Sequence, residues 1–455
     1  MAMFVLIGVS AVRQSQGTKK DYYLASHTVN PALVGLSAVA TNNSGYMFIG
    51  VIGYTYHAGL ASVWLMLGWI VGDYLASTFV HGKLRLATEQ QGEVSYAAVL
   101  SGWHGQVQPV LRTLIAVITL IFLSAYASAQ LVAGSKALHV LFDWPMWAGA
   151  VLGALMVIAY CYAGGIRASI WTDAAQSVVM ITAMAVLLWV TVDHLGGTAP
   201  VFEQWSKIPG FLDWAPETPM FPGVAGLTLF AASWLFAGFS VIGQPQVMVR
   251  FMALSDHNDM ARARRWYYLW FFLFYLMATV VGMLSRIALA DSGTFDAELA
   301  LPTLAMMMLP PVWVGLVLAG IFAATMSTAD SLVLSCSAAV THDLSPKKIE
   351  QTRVLKWTTS GITLLALAWA MLNKQTVFSL VILSWSSLAS AFAPLLIVLA
   401  LGGRPSQTTS VAALLSGFAA ALLWRYLGWH DAAYEGMAGI LVGLSVHGIG
   451  NRSQS

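Results

Sequence analysis

Apolar runs close to 20 residues long recur from one end of this chain to the other. At 1.5 Å of rise per residue, each covers a hydrocarbon core of roughly 30 Å as a single α-helix. Lipid offers the backbone no hydrogen bonds, so a run of this length is helical wherever it crosses. The runs predict spans near 31–55, 62–82, 113–140, 145–163, 170–194, 225–251, 265–290, 311–341, 354–372, 376–401, 409–427 and 434–450. A shorter stretch at the start, MAMFVLIGVSAV, brings the expected number to about thirteen and the fold class to an all-α integral membrane protein. Only 9% of the 455 residues are charged, against roughly 25% in an ordinary soluble domain. A water-soluble globule is excluded.

The first stretch is short for a crossing and lacks the charged head of a signal peptide, which points to a trimmed or misassigned start. Cys161 and Cys336 both fall inside predicted spans, with neither disulfide-framework nor metal-ligand spacing, and are expected to be buried thiols. If the spans alternate, only Lys136, Lys207, Arg286, Lys374 and Arg425 of the 22 lysines and arginines face one side. The other side holds the remaining 17, from Arg13 to Arg452. Basic residues are retained on the cytoplasmic side, so the expected orientation is amino terminus outside and carboxyl terminus inside. The clusters Arg262-Arg264-Arg265 and Lys347-Lys348 suit this topology and lipid headgroups, not nucleic acid. The longest loop, about 195–224, lies on the outside as either a lid or a connector.

Two spans carry sequences that a plain lipid-facing helix has no use for. One is Ala40-Thr41-Asn42-Asn43-Ser44-Gly45-Tyr46; the other is Gly238-Phe239-Ser240-Val241-Ile242-Gly243-Gln244-Pro245, where the proline removes a donor and crowds the preceding turn. Such stretches mark interrupted helices whose freed carbonyls line a cavity, and their positions five spans apart suit an inverted-repeat transporter. Packing kinks are the plainer reading. A third polar cluster, Ala323-Ala324-Thr325-Met326-Ser327-Thr328-Ala329-Asp330-Ser331, puts a carboxylate at membrane depth, where it costs roughly 2.5–3.5 kcal/mol and needs a partner. Asp173 and Asp73 are two further acids within spans. The sequence has no metal-ligating helix motif, nucleotide loop or nucleophile elbow, so neither enzymatic chemistry nor an organic cofactor is expected.

These same residues carry a resemblance to the sodium/solute symporter family, nearest its bacterial sodium/proline branch. It runs over nearly the whole length and rests on SAVATNNSGYMFIG (37–50), YASAQLVAG (126–134), YCYAGGIRASIWTDAAQ (160–176), GQPQVMVRFMA (243–253) and AATMSTADS (323–331). The resemblance implies a LeuT-like core of ten helices in two inverted five-helix repeats, with flanking helices. Residues 1–30 would then be a short first helix and cytoplasmic link, 31–402 the transport core, and 403–455 two accessory helices and a short cytoplasmic tail.

Carried over by motif, a sodium ion would be held by the carbonyls of Ala40, Asn43 and Ala324 and the hydroxyls of Ser327 and Thr328. Some family members bind a second cation at positions that read Asp173, Asp330 and Ser331 here. The solute would lie against Ser44, Gly45 and Tyr46, with Tyr126, Gln130, Ala237, Val241, Gln244 and Trp385 as further walls. Proline transporters carry a tryptophan and a tyrosine where this chain has Ala237 and Val241, and a glycine where it has Gln130. The resemblance thus implies a sodium-driven symporter of a bacterial-type inner (plasma) membrane, importing a small organic solute, proline or another amino or carboxylic acid, as a monomer or weak oligomer. A proton-coupled symporter, with Asp330 or Asp73 as carrier, and a transporter-like nutrient sensor are the rival readings.

Overall fold

The structure is a computed structural model, and it describes Ile7, Ser10 and residues 16–289, 295–345 and 349–452. Its α-helices are α1 (Lys19–Leu24), α2 (Pro31–Gly45), α3 (Ile52–Ala58), α4 (Ser62–Gln91), α5 (Tyr96–Ser101), α6 (Pro109–Phe142), α7 (Met146–His194), α8 (Thr198–Ser206) and α9 (Gly223–Phe239). They continue as α10 (Pro245–Met252), α11 (Met260–Ala288), α12 (Ala300–Met308), α13 (Pro311–Ala338), α14 (Thr352–Leu372), α15 (Val377–Ala400), α16 (Gln407–Tyr426) and α17 (Glu435–Arg452). Among the described residues nine helical runs are long and apolar enough to cross a membrane. Each expected span from 31–55 onward falls on helix to within a residue or so of its ends over its described residues, apart from the interruption before Pro245. The short first span lies almost wholly outside those residues.

Local chemistry explains where the helices start and bend. Asn30 caps α2 by accepting from the Leu33 amide, and Pro31 takes the first helical position, where its missing N–H costs nothing. The spans expected at 145–163 and 170–194 are two helical segments of α7 that meet without a loop at Gly165, whose φ of 58° and ψ of −146° interrupt the helix. Helices α4 and α9 touch backbone to backbone at Gly72 and Gly238, where a Cβ on Gly238 would lie 2.8 Å from the Gly72 Cα. Small residues permit such contact in lipid, where burial of apolar surface drives little association. The 195–224 segment contains α8, and it is tied to the start of α4. The Phe211 carbonyl accepts from the Leu60 amide at 2.8 Å, and that of Trp214 accepts from the Trp64 indole at 2.9 Å.

Both expected interruptions are present. α2 breaks at Ser44, a non-glycine residue with φ 51°, and the chain re-enters α3 through a wide π turn over Tyr46–Val51. α9 tightens into a 3₁₀ turn over Ser240–Gly243, passes through extended Gln244 and restarts as α10 at Pro245. A side-chain contact secures the far end of α10: His27, between α1 and α2, places Nδ1 2.9 Å from the Met252 carbonyl.

Burial, then the nearby Arg85 and Lys20 charges, lower the His27 pKa to about 4. A base depressed in the folded state takes up its proton more readily when unfolded, so its contribution to stability falls as pH drops below the unfolded value near 6.5. The melting temperature of wild type is expected to fall between pH 7 and 5 more than that of His27→Gln. Parallel curves for the two proteins would count against this role.

Candidate functional site

The broken helix α2 lies against α13, and their contact is made of oxygen atoms. The Ser327 hydroxyl reaches the Ala40 carbonyl at 3.3 Å and the Ala324 carbonyl at 3.0 Å. One residue further along both helices, Thr328 Oγ1 donates to the Thr41 carbonyl at 3.1 Å, and Thr41 Oγ1 lies 3.1 Å from Ser331 Oγ. All of these residues are buried. Carbonyl and hydroxyl oxygens without a fixed charge are the ligands a hard monovalent cation takes, and the break at Ser44 frees backbone to supply them. Ala40, Ala324, Ser327 and Thr328, which motif matching grouped, lie in contact here, and Thr41, which it left out, lies with them. The Asn43 carbonyl accepts from the Tyr46 amide instead, capping the break.

A second cluster sits beside the first. Asp173 and Ser169 from α7, Asp330 and Ser331 from α13, and Ser37 from α2 surround the guanidinium of Arg250, which enters from α10. Arg250 Nη2 is 2.6 Å from Ser169 Oγ, 3.4 Å from Asp173 Oδ2 and 3.9 Å from Asp330 Oδ1, and it also bonds Ser331 Oγ. Ser37 donates to Asp173 Oδ2 at 2.6 Å, and Ser169 Oγ lies 3.0 Å from Asp330 Oδ1. No side chain of Asp173, Asp330 or Arg250 is more than 2% exposed. Sequence reasoning placed Arg250 among the cytoplasmic basic residues, because it ends a span. The pointer it passed over is that Asp173 and Asp330 together want a buried counter-charge.

Asp73, the third intramembrane acid, accepts from Tyr267 at 2.6 Å, Tyr268 at 2.9 Å and the Asn42 amide at 3.5 Å. Through Asn42 it too reaches the broken helix.

The expected solute walls divide into two groups. Near the break, Gln130 Oε1 accepts the Gly45 amide at 2.8 Å and Tyr126 donates to Ser44 Oγ at 3.2 Å. The Tyr46 ring stacks on Phe378 with centroids 5.4 Å apart and leans on Trp69, which in turn meets Trp385 at 5.2 Å. Around the second interruption, the Trp385 indole donates to the Ala237 carbonyl at 3.0 Å, and Gln244 donates to the Trp385 carbonyl at 2.9 Å. Val241 is buried with them. Gln244 is therefore committed to holding α15 against the interruption, whereas Gln130 Nε2, the Tyr46 hydroxyl and Asn43 Nδ2 are buried with no partner among the described residues. Buried polar atoms left unpaired are costly, and a polar solute beside the break would relieve them.

The profile of the sodium:solute symporter family matches residues 22–417. The chain is 27% identical to the sodium/proline symporter of Escherichia coli (strain K12), over 96% of this chain and 88% of that one. It is also 27% identical to the high-affinity proline transporter of Bacillus subtilis (strain 168), over 97% and 93%. Its fold is similar to that of a Na⁺-coupled sialic acid symporter, with a TM-score of 0.81, 18% identity and coverage of 98% of this chain and 94% of that one. A nucleobase-cation-symport-1 family transporter matches with a TM-score of 0.60, 14% identity and coverage of 95% and 94%. With a family match across most of its length, this chain belongs to the sodium:solute symporter family.

Proposed function

We propose that this protein is a sodium-driven symporter that imports proline or a closely related amino or carboxylic acid by alternating access. Its spans, about thirteen with the start included, would form a LeuT-like core of two inverted five-helix repeats over 31–402, with the amino terminus outside the plasma membrane and the carboxyl terminus in the cytoplasm. The observation that supports this most is the buried oxygen contact between α2 and α13, in a chain of this family. Sodium would sit among the oxygens of Ala40, Thr41, Ala324, Ser327 and Thr328, with Asn43 joining once its carbonyl turns from the cap. Ser327 keeps lone pairs for the ion while its proton stays on the Ala324 carbonyl.

Ion and solute would bind cooperatively. Sodium ties α2 to α13 and orders the break, and the solute uses the same break, so each ligand reduces the ordering that the other must supply. The solute would lie against Ser44, Gly45 and Tyr46, between Tyr126 and Gln130 on one side and Ala237, Val241 and Trp385 on the other. The deciding experiment is uptake of radiolabelled proline, with competition by other amino and carboxylic acids, into proteoliposomes. An inward sodium gradient should drive accumulation. Accumulation driven equally well by a proton gradient without sodium would replace sodium with the proton, and binding without flux would favour a sensor.

Gln130 is the residue through which selectivity is expected to be adjustable. Its Oε1 already occupies the Gly45 amide, and its Nε2 is free to meet a solute acceptor. Gln130→Ala is expected to change the ranking of competing solutes by roughly tenfold, the worth of one buried hydrogen bond. Half-saturation by sodium should move less than about twofold, because Gln130 touches none of the sodium oxygens. An unaltered solute ranking would remove Gln130 from the solute site.

A further inference from the structure

We propose that Arg250 is a tethered cation that fills the second ion position, its guanidinium nitrogen standing among oxygens of Ser169, Asp173, Asp330 and Ser331, so that one sodium ion accompanies each solute. This rests on the sodium-coupled reading above and narrows it.

The geometry is that of an ion and its ligands. A single nitrogen, Nη2, has four oxygens around it, supplied by two helices, and the same side chain's Nε and Nη1 have no partner among the described residues. The contacts therefore converge on one point, as ligands converge on a metal, instead of spreading over the guanidinium fork. An arginine stays charged in any protein environment, so the positive charge in this position is permanent. Asp173, Asp330 and Ser331 cannot surround a mobile cation while this nitrogen is among them.

Charge balance leads to the same number of ions. With both acids ionised, Asp173, Asp330 and Arg250 together carry one net negative charge. One sodium between α2 and α13 neutralises them. A second would leave an uncompensated positive charge in a dry interior, where its desolvation is poorly repaid.

The tether also links the two interruptions. Arg250 lies on α10, just after the second break, and it holds Ser331. Ser331 in turn donates to the Ser327 carbonyl at 2.5 Å and meets Thr41 Oγ1 at 3.1 Å. Any shift of α10 is thereby felt at the helix faces that hold sodium.

The test counts ions. Equilibrium binding of radioactive sodium to the purified full chain, with proline at saturation, is expected to give one ion per molecule and a hyperbolic curve. Arg250→Gln, which keeps the approximate shape without the charge, is expected to bind two with a Hill coefficient rising above 1. Arg250→Lys is expected to stay at one. Two ions on wild type overturn the proposal, as does one ion on both wild type and Arg250→Gln. If Arg250→Gln is recovered unfolded, the wild-type count decides alone. No bound sodium on wild type refutes sodium coupling itself and takes this inference with it, an outcome plainly different from a count of two.

Discussion

Ser327→Ala is expected to raise the sodium concentration for half-maximal uptake roughly 10- to 100-fold, about 1.4–2.7 kcal/mol, the worth of one to two buried hydrogen-bond equivalents. The serine hydroxyl is the atom that meets α2 and α13 together, at the Ala40 and Ala324 carbonyls. Its loss removes one oxygen of the proposed sodium site and leaves the Ala40 carbonyl without that donor. Thr328→Ala is expected to act in the same direction and less strongly, since Thr328 contacts only the neighbouring Thr41 carbonyl of α2. Solute half-saturation, measured at saturating sodium, should recover towards wild type, which separates an ion defect from misfolding. A Ser327→Ala protein with unchanged sodium dependence would move the ion away from this contact.

The largest structural effect is expected from Glu298→Ala. The Glu298 carboxylate, 7% exposed, accepts from Lys136 Nζ at 2.8 Å and from the amides of Val377 at 3.0 Å and Phe378 at 2.8 Å. It therefore caps the amino terminus of α15 from outside the helix and neutralises a lysine of α6. Truncation leaves two amides unpaired and Lys136 with only Asp296, which is 47% exposed. The cost should be roughly 2–4 kcal/mol, slightly under that of stranding a fully buried charge, because Asp296 remains. A thermal melt in detergent should show a fall of several degrees, and Glu298→Gln, which still offers an acceptor to the amides, should lose less. Equal melting of Glu298→Ala and wild type would refute the capping role.

What was legible in the sequence, and what was not, follows from how each feature depends on distance along the chain. Asn42, Asn43, Ser44 and Gly45 have no place in a continuous lipid-facing helix, and Pro245 cannot continue one, so both interruptions leave a local mark in composition. Apolar length likewise marks the spans. Two of them meet at Gly165 without a loop, because a single glycine at positive φ interrupts a helix and redirects the chain within one residue.

Arg250 had no such local mark. Its partners Asp173 and Ser331 are 77 and 81 residues away, and its place at a span end gave it a sufficient reason to be basic. Thr41 was missed for a different reason. Adjacent carbonyls of a helix lie about 100° apart around its axis, so which of them meets a hydroxyl depends on helix rotation, and a motif carries no such angle.

The two cysteines, found where the spans placed them, have a practical consequence. Cys161 is 2% exposed and Cys336 is 0%, and they are the chain's full complement. Cys336 lies against the Thr119 and Leu120 carbonyls at 3.9 and 3.8 Å, and Cys161 approaches the Asp330 carbonyl at 4.0 Å. A maleimide dye or spin label needs an accessible thiolate, which neither offers in the folded protein. Cysteines introduced in pairs on the exposed faces of α4 and α9 should take label over an unreactive native background. Distances between these two helices then become measurable without first replacing the cysteine that borders the Asp330 backbone.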